Sequence, residues 1–567
     1  MDPTQILAGH DPAFKSLQEA VIASVEFYRS HLKKAETSET LNRRQQLSFW
    51  IAKFHRECGT ITPQVQQALD RLRMDPCLVV VTAHQPNFFP YGGVIRKATL
   101  AYVLAQKLAA ALGLPAVSLF ALADQDFTDD RWVKSSQVPD VQRRGGTFEL
   151  RVGLPEKIML NHVPKPSRKV LDGWRGGIEG WVHGKLRAVE QFLRSSGMTF
   201  DIGPKLSRDF EEFWTLAEDA YGKAGNYADF NAFLLSKIVD QVWGYDTLFC
   251  RFSESQRIFE NEFGFLLSRF ERYSQYVKEA TVSGGNKVGG VYEQEHLTIP
   301  FWYHCSCGSK ARLTAARSDP LIASGQCMRC NQTYEIDLDS ADRSKLSGIL
   351  DRISARSLAM PLVFLNGLKA ICYVGGVGGT EYLRQAQYVA QQLGVMFPRI
   401  LVWRPLDTYL GIGQLEALMT LRALSGTFDL SQCPTLKTTI RTKIDRLQEQ
   451  IAELELEKSR LKASELATEE KAQKIKALGA RQEKIRKQND LSSLARNLGL
   501  LENVESVIRL CPSVIDYAIN VGLKATSDQW IAHLNEDGRL LPNVALKTTL
   551  SNALPESFKR SLENSDT

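Results

Sequence analysis

Apolar residues recur at helical spacing through the first 75 residues, in stretches such as FKSLQEAVIASVEFYRSHLKKA and TPQVQQALDRLRM. A side chain at every third or fourth position lies on one helix face, so these stretches predict amphipathic helices. The pattern changes at Cys77, where CLVVVTA is a short β-rich run typical of a buried parallel strand. The turn-rich segment HQPNFFPYGG follows, and then the helical stretch VIRKATLAYVLAQKLAAALG.

A second predicted strand, LPAVSLFALA, completes a strand–helix–strand unit and ends in the acidic loop DQDFTDD. Such a unit indicates an α/β fold with a parallel sheet. The alternation resumes late in the chain, where PLVFLNGL, AICYVGGVGGTEYL and PRILVWRP predict strands, with a helix before the last. We therefore expect one α/β core that is split by an insertion.

The patterns divide the chain into seven predicted segments. They are an N-terminal helical segment (1–75), the first half of the core (76–150), a mostly helical insertion (151–299), a four-cysteine module (300–338), the second half of the core (339–430), a coiled coil (431–500) and a helical segment with a polar tail (501–567). The coiled coil is predicted because apolar residues alternate at spacings of four and three, and this seam also offers a surface for a homodimer. These seam residues are Ile440, Ile444, Leu447, Ile451, Leu454 and Leu461.

Composition is ordinary for a globular protein, with 44% apolar and 24% charged residues among 567. A net charge of +6 is small at this length, so nucleic acid is not an expected partner. No apolar stretch approaches the roughly 18–20 residues of a membrane span, so no membrane partner is expected. The N-terminus lacks a basic start followed by an apolar run, which favours a cytoplasmic protein.

Four of the ten cysteines form a C-x-C and a C-x-x-C pair that are separated by 19 residues. Four thiolates complete the tetrahedron that Zn²⁺ prefers and leave no open position, which predicts a structural zinc site. Gly308 and Asn331 follow the two pairs and suit tight turns. The alternative is four reduced cysteines without a metal. The predicted ligands are Cys305, Cys307, Cys327 and Cys330.

The turn after the first predicted strand is the first candidate site. Open α/β sheets bind ligands at the carboxyl ends of their strands, and backbone N–H groups at a helix start can hold a phosphate or carboxylate. His84 could act there as an acid or base near neutral pH. The alternative is that the glycines and prolines only form a turn. The candidates are Thr82, His84, Gln85, Asn87, Gly92, Gly93 and Lys97.

Two further candidates follow later predicted strands. The first is the acidic loop, where Asp124, Asp126 and Asp129, with Gln125, could bind a metal, an amine or ribose hydroxyls, or one carboxylate could act as a general base. A solvated loop or helix cap is the alternative. The second is a glycine-rich turn between a strand and a helix, where the backbone can approach a ligand closely. It is neither a Walker loop nor a full dinucleotide fingerprint. Its residues are Gly375, Gly376, Gly378, Glu381 and Tyr382.

The segment from VVVTAHQPNFFPYGG to ADQDF resembles the opening domain of the bacillithiol-biosynthesis cysteine-adding enzyme family, BshC. The segment ICYVGGVGGTEYL is similar to that family's Y-V-G-G-P-G-E-x-x-Y segment, and the string HQPNFFP alone is also like the WbqC-like family. The matching positions of the first segment are Thr82, His84, Gln85, Pro86, Gly92, Gly93, Lys97, Asp124, Asp126 and Phe127.

The resemblance implies a Rossmann-like core related to nucleotidyltransferases, and condensation of cysteine with the amine of a glucosaminyl-malate acceptor. It makes His84, Asp124 and Asp126 the candidate catalytic residues, and ATP or another nucleotide a candidate cofactor. The family's E-D-H-D motif is Ala123-Asp124-Gln125-Asp126 here, and its glycine after Thr82 is Ala83. The four-cysteine module is not a feature of the family pattern.

The sequence is therefore compatible with two functions of different classes. The first is a ligase or transferase that joins an amino acid, such as cysteine, to the amine of a small acceptor, such as an amino sugar conjugate. The second is a non-catalytic binding or scaffold protein on a degenerate BshC-like fold, with the four-cysteine module and the coiled coil as contact surfaces. Nucleic-acid binding is a third and weaker interpretation, because acidic residues are interleaved with the basic ones in the coiled coil.

Overall fold

Fourteen strands and a larger number of helices make up the described part of the protein. The computed structural model describes residues 14–35, 37–195, 201–283, 297–338, 343–356, 358–404, 407–488, 490–541 and 543–553. The strands are β1 (Leu78–His84), β2 (Ala116–Leu122), β3 (Ser135–Pro139), β4 (Thr147–Arg151), β5 (Leu248–Arg251), β6 (Thr298–His304), β7 (Lys310–Ser318), β8 (Leu321–Cys327), β9 (Thr333–Asp337), β10 (Ile353–Ala355), β11 (Cys372–Gly375), β12 (Arg399–Val402), β13 (Asp407–Thr408) and β14 (Val544–Ala545).

The α-helices surround these strands. They are Leu17–Phe27, Ser38–Cys58, Pro63–Leu72, Gly92–Leu112, Arg131–Lys134, Arg168–Ser195, Gly203–Lys223, Tyr227–Ser236, Phe252–Ser255, Glu260–Leu267, Phe270–Ser283, Arg343–Ser347, Ala359–Gly367, Thr380–Gln392, Ile412–Ser425, Cys433–Ala463, Thr468–Gln488, Leu491–Ile508, Val514–Asn520, Leu523–Glu536 and Thr549–Ala553. Among the described residues, no helix is long and apolar enough to cross a membrane.

A five-stranded parallel sheet lies at the centre, in the order β12-β11-β1-β2-β5. Read from the β5 edge and numbered by their occurrence in the chain, the five strands have the order 3-2-1-4-5, which is the order of a Rossmann-like sheet. The Rossmann-like parallel sheet predicted from the sequence is thereby confirmed. Both faces are covered: Val80 packs into one apolar cluster, while Val79 and Val81 pack into the other. This alternation explains why β1 is a continuous apolar run.

Two elements of the central region differ from the sequence-based expectation. Residues 361–368, PLVFLNGL, were expected to form a strand but lie largely in the helix Ala359–Gly367. A short apolar run fits a buried strand and a buried helix equally well, so periodicity alone does not separate them. The predicted helical insertion, 151–299, also contributes β5, which completes the central sheet on the far side of β2.

The four-cysteine module is a separate antiparallel sheet in the order β10-β6-β7-β8-β9. Side chains alternate between its two faces. Phe301 and Tyr303 of β6 pack into the apolar cluster that also covers one face of the central sheet. Trp302 and His304 therefore point to the opposite face.

The predicted coiled-coil region, 431–500, contains the helices Cys433–Ala463 and Thr468–Gln488, which pack against each other as an antiparallel hairpin. It ends within the helix Leu491–Ile508, which also packs against Cys433–Ala463. Across the hairpin, the side-chain amide of Gln482 donates to the carbonyl of Ile451 at 3.0 Å. Ile444, Leu447 and Leu454 of the predicted seam are buried. Supercoiling and pairing with a second chain stay predictions.

Candidate functional site

A cavity of about 800 Å³ opens at the carboxyl edge of the central sheet. The chain runs from β1 to β2 and β5 on one side, and it later returns to β11 and β12 on the other. The strand order thus reverses between β1 and β11, which is where open α/β sheets form a ligand crevice. Predicted site residues that line the cavity are His84, Gln85, Lys97, Asp126, Gly375, Gly376, Gly378 and Tyr382.

Lys97 reaches this crevice from the helix Gly92–Leu112. It is only 6% exposed, and its Nζ donates to the carbonyl of Ala83 at 2.8 Å. A Cβ built on Gly376 would lie 4.0 Å from this Nζ, so the lysine sits beside the turn that follows β11. Burial lowers the pKa of Lys97 to about 7, because a desolvated ammonium is disfavoured. A bound anion would stabilise the charged ammonium group of Lys97 and so offset the effect of burial.

His84 ends β1 and is partly buried at the cavity wall. Its Nδ1 lies 3.0 Å from the carbonyl of Gln85, which can only accept, so Nδ1 carries the proton and Nε2 is the acceptor. Burial and the nearby charge of Lys97 lower the pKa of His84 to about 3. His84 is therefore neutral at pH 7 rather than titrating there as the sequence suggested.

The turn after β11 brings backbone close to the same crevice. A Cβ at Gly375 would lie 2.9 Å from a methyl carbon of Leu383, so any larger residue here would require the Leu383 side chain to shift. Cβ atoms built at Gly378 and Gly379 would meet nothing within 4 Å, so this part of the turn is open. The helix Thr380–Gln392 begins here, and its first N–H groups favour an anion. The side chain of Glu381 lies outside the described residues.

The candidate aspartates of the acidic loop have different positions. Asp126 and Asp129 line the cavity, where the side chain of Asp126 is exposed. The surrounding protein still desolvates the Asp126 carboxyl and raises its pKa, while nearby Lys310 lowers it. Asp124 is 2% exposed and does not line the cavity. Its carboxylate accepts from the backbone N–H of Ser253 at 3.1 Å and from the Ser253 hydroxyl. Burial raises the pKa of Asp124 to about 6. Asp124 thus links the acidic loop to the segment that begins after β5.

Other predicted residues of the first turn also have structural contacts away from the cavity. The hydroxyl of Thr82 donates to the carbonyl of Val374 at 2.8 Å and links β1 to β11. The N–H of Gly92 donates to the carbonyl of Pro512 at 3.1 Å, and a Cβ there would lie 2.5 Å from the Tyr517 hydroxyl. The start of this helix is therefore covered by the C-terminal segment. The predicted residues that do not line the cavity are Thr82, Asn87, Gly92, Gly93 and Asp124.

The four-cysteine module supplies cavity residues that the sequence did not indicate. Trp302 of β6 and Lys310 of β7 line the cavity beside the acidic loop. Lys310 donates from Nζ to the carbonyl of Gln125 at 2.8 Å. Burial lowers the pKa of Lys310 to about 8, and Asp126 acts in the opposite direction. These partners are 185 positions apart in the chain, so no local pattern reveals the contact.

The four cysteine sulfurs lie within 4.8 Å of one another. The Sγ atoms of Cys305 and Cys330 are 3.5 Å apart, and those of Cys307 and Cys327 are 3.6 Å apart. A tetrahedral site with metal–sulfur bonds near 2.3 Å has edges of about 3.8 Å. The cluster could therefore bind a metal ion.

Local backbone geometry sets the positions of these cysteines. Gly308 and Asn331 have φ angles of 82° and 60°, in the left-handed region that glycine and asparagine tolerate best. The N–H of Gly308 donates to the carbonyl of Cys305 at 3.0 Å, and that of Asn331 donates to the carbonyl of Cys327 at 3.2 Å. Each turn thereby brings its two thiols together, as the residue types in the sequence predicted.

Backbone hydrogen bonds join the cysteine turn to the acidic loop through residues 159–161. The N–H of Met159 donates to the carbonyl of Gly308 at 2.9 Å. The next two N–H groups, of Leu160 and Asn161, donate to the carbonyls of Asp126 and Asp124 at 3.0 and 2.9 Å. The cysteine turn, this bridge and the acidic loop therefore form one continuous support for the cavity wall.

Comparison with solved structures finds similarity to the crystal structure of a putative arginyl tRNA synthetase from Campylobacter jejuni. The two chains are 11% identical, and the match covers 83% of this chain and 97% of that chain, with a TM-score of 0.24. A TM-score this low does not indicate a shared fold. No curated protein matches the chain.

Residues 7–144 match the family model described as the N-terminal Rossmann-like domain of the bacillithiol biosynthesis protein BshC. The matched range contains β1, the helix Gly92–Leu112, β2 and the acidic loop, which form part of the cavity wall. The resemblance predicted from the first motif segment is confirmed, and residues 7–144 are a BshC-like Rossmann-like domain.

Proposed function

We propose that the protein is a ligase or transferase that joins an amino acid, such as cysteine, to the amine of a small acceptor, such as an amino sugar conjugate. The observation that carries the proposal is a single cavity that contains Lys97, Asp126 and the open glycine turn at the reversal point of a BshC-like sheet. The cavity volume is in the range of small-molecule sites.

Lys97 and the glycine turn would bind an anionic group. The lysine supplies a charge in a desolvated place, and the first N–H groups of the helix Thr380–Gln392 supply oriented donors. A carboxylate of the acceptor and a nucleotide phosphate share this chemistry, so a nucleotide such as ATP is a candidate cofactor. His84, neutral at pH 7, would accept a hydrogen bond from a bound hydroxyl or amine at Nε2.

Asp126 would act on the attacking amine. An amine must lose a proton as it becomes an amide, because its lone pair is the nucleophile. Asp126 lines the cavity, and desolvation by the surrounding protein raises the pKa of its carboxyl, which makes it a better proton acceptor. The nitrogen would bond to the carbonyl carbon of the activated amino acid, and the activating group would leave with the electron pair.

The four cysteines would hold one structural Zn²⁺. A closed set of four thiolates leaves no position for water or substrate, and the described cluster lies at the module's turns rather than among the residues that line the cavity. Its role would be to hold β6 and β7 against the acidic loop.

Asp126→Asn should lower turnover at least about a hundredfold, since a positioned acid or base typically contributes that much. The assay uses purified full-length protein with cysteine, a glucosaminyl-malate acceptor and ATP, and it follows product by mass spectrometry. Asp172→Asn is the matched control, because this carboxylate lies on the exposed face of the helix Arg168–Ser195. Unchanged turnover of Asp126→Asn would contradict the role of this residue.

Ligand binding distinguishes the proposed ligase from the alternative, a non-catalytic scaffold protein. The family motif has a histidine where this chain has Gln125, which favours a protein that has lost activity. A thermal-shift panel of nucleotides, amino acids and amino sugars should show stabilisation that disappears in His84→Ala. If no compound stabilises the protein and no acceptor is turned over, the non-catalytic interpretation replaces the ligase.

A further inference from the structure

We propose that the four-cysteine module forms part of the amino-acid subsite, in which Lys310 binds the α-carboxylate of a free amino acid. The inference rests on the proposed function and deepens it, because it names the class of substrate that this end of the cavity accepts. It assigns a binding role to a module that is not part of the family match, which ends at residue 144.

The face of the module that carries Lys310 is turned toward the cavity by the alternation of β6 and β7. Tyr303 and Ala311 pair across the two strands and are buried in the apolar cluster. Lys310 and Trp302 lie on the opposite face and line the cavity. The register of this sheet therefore fixes which side chains reach the ligand.

Lys310 is a cation held in a defined place. It is 5% exposed, and its Nζ lies 4.5 Å from the ring centre of Phe127 and 5.5 Å from that of Trp302. Aromatic faces attract a cation, so both rings favour the charged form. An ammonium group has three N–H donors, and the carbonyl of Gln125 accepts one of them.

Asp126 lies between Gln125 and Phe127, which both contact Lys310, and it interacts electrostatically with this lysine. A carboxylate bound to Lys310 would therefore lie close to the residue that acts on the attacking amine in the proposed reaction. Phe127 and Trp302 add apolar surface for a small side chain.

The other anion-binding end of the cavity, at Lys97 and the glycine turn, is far enough from Lys310 for two ligand groups to bind at the same time. The glycine turn follows β11 and the acidic loop follows β2, and β1 lies between these two strands. Strands are about 4.8 Å apart, so the two ends are about 10 Å from each other. The Lys97 end is then left for the acceptor or a nucleotide.

The test measures binding of L-cysteine, and then of the other standard amino acids, to the zinc-loaded full chain by calorimetry. Each binder is compared with its amide, which keeps the ammonium group but lacks the carboxylate charge. The wild-type protein should bind the acid at least tenfold tighter than the amide. Lys310→Gln keeps a donor for the carbonyl of Gln125 but removes the charge. It should weaken binding of the acid about tenfold to a hundredfold and leave the amide unchanged.

Two further variants control for folding and for surface charge. Lys310→Arg keeps the charge and should retain the preference for the acid. Lys345→Met removes a more exposed lysine near the module, ion-paired with Asp337 at 2.7 Å, and should change neither affinity. Zinc content and melting temperature are measured for each variant.

The inference is overturned if Lys310→Gln, with normal zinc content and melting temperature, still prefers the acid, or if the wild-type protein binds acid and amide equally. Lys310 would then be only a structural tie to Gln125, and continued turnover would leave the proposed function standing. Failure of the proposed function gives a different pattern, in which the wild-type protein neither binds any amino acid nor forms product.

Discussion

Lys97 places a charged side chain where the protein interior disfavours the charge. Its pKa of about 7 in the folded chain lies well below the 10.4 typical of an exposed lysine. Between these values the unfolded chain binds more protons than the folded one, so stability rises as pH increases from about 7 to 10. A buried lysine that is tolerated in this way is typical of a residue retained for binding rather than for stability.

We therefore expect Lys97→Met to stabilise the fold by roughly 1–3 kcal/mol at pH 7, since it replaces a buried cation by an apolar side chain of similar length. The gain should shrink at pH 9, where the folded wild-type lysine is neutral. Urea unfolding at the two pH values measures it. Lys107→Met on the same helix is the control. A destabilised Lys97→Met, or a gain that grows with pH, would show that the ammonium is stabilised by the fold.

At the scale of elements, the two cysteine turns depend on their left-handed residues. Gly308 has φ 82°, and a Cβ added to it would lie 3.1 Å from the Cβ of His162. Both the backbone angle and the contact disfavour any larger residue at this position. The turn therefore needs glycine for two independent reasons.

Gly308→Ala should destabilise the protein by about 1–2 kcal/mol and weaken zinc binding, because the left-handed conformation is unfavourable for alanine. Gly153→Ala is the matched control, since a Cβ there meets nothing within 4 Å. Thermal unfolding and competition with a zinc-binding dye provide the two measurements. Equal zinc affinity in the two variants would mean that the turn relaxes without strain.

The sequence predicted those elements whose signals are local. The apolar run of β1, the cysteine spacing and the turn residues Gly308 and Asn331 each depend on a few neighbouring positions. β5 is only four residues, LFCR, within a mostly helical region, so its membership of the sheet depends on contacts with β2 that the sequence does not display. Lys310 could not be assigned to the cavity for the same reason, because its partner Gln125 is distant in the chain.

The position of Asp124 shows a limit of family motifs. It occupies a motif position beside Asp126, yet its carboxylate is bound to Ser253 in a segment that the motif does not include. Two carboxylates two positions apart point in different directions in an irregular loop. The sequence identifies such a loop as a candidate but does not say which carboxylate faces a ligand.

At the scale of the whole molecule, the four-cysteine module and the Rossmann-like sheet act on one cavity. The bridge of residues 159–161 transmits the position of the cysteine turn to the acidic loop. Loss of the metal should therefore disturb the cavity wall as well as the module itself.

The protein purified without chelator should contain about one zinc per chain, and chelation should lower its melting temperature. After chelation, amide hydrogen exchange at Leu160 and Asn161 should accelerate, because their acceptors in the acidic loop are then less firmly held. Exchange in β1 and β2 should stay slow and serves as the internal control. Absence of zinc, or unchanged exchange at these two amides, would contradict the proposed support.

The strand order of the central sheet also has a consequence for how the chain is made. β1 lies between β2 and β11, and residues 85–371 separate the end of β1 from the start of β11. At about 5–20 residues per second, a ribosome needs on the order of 15–60 s to produce that length. For this time one edge of β1, a strand of seven buried or half-buried residues, is without its final neighbour and exposed to pairing with other chains. Chaperone engagement of nascent chains should accordingly be greatest before residue 372 emerges.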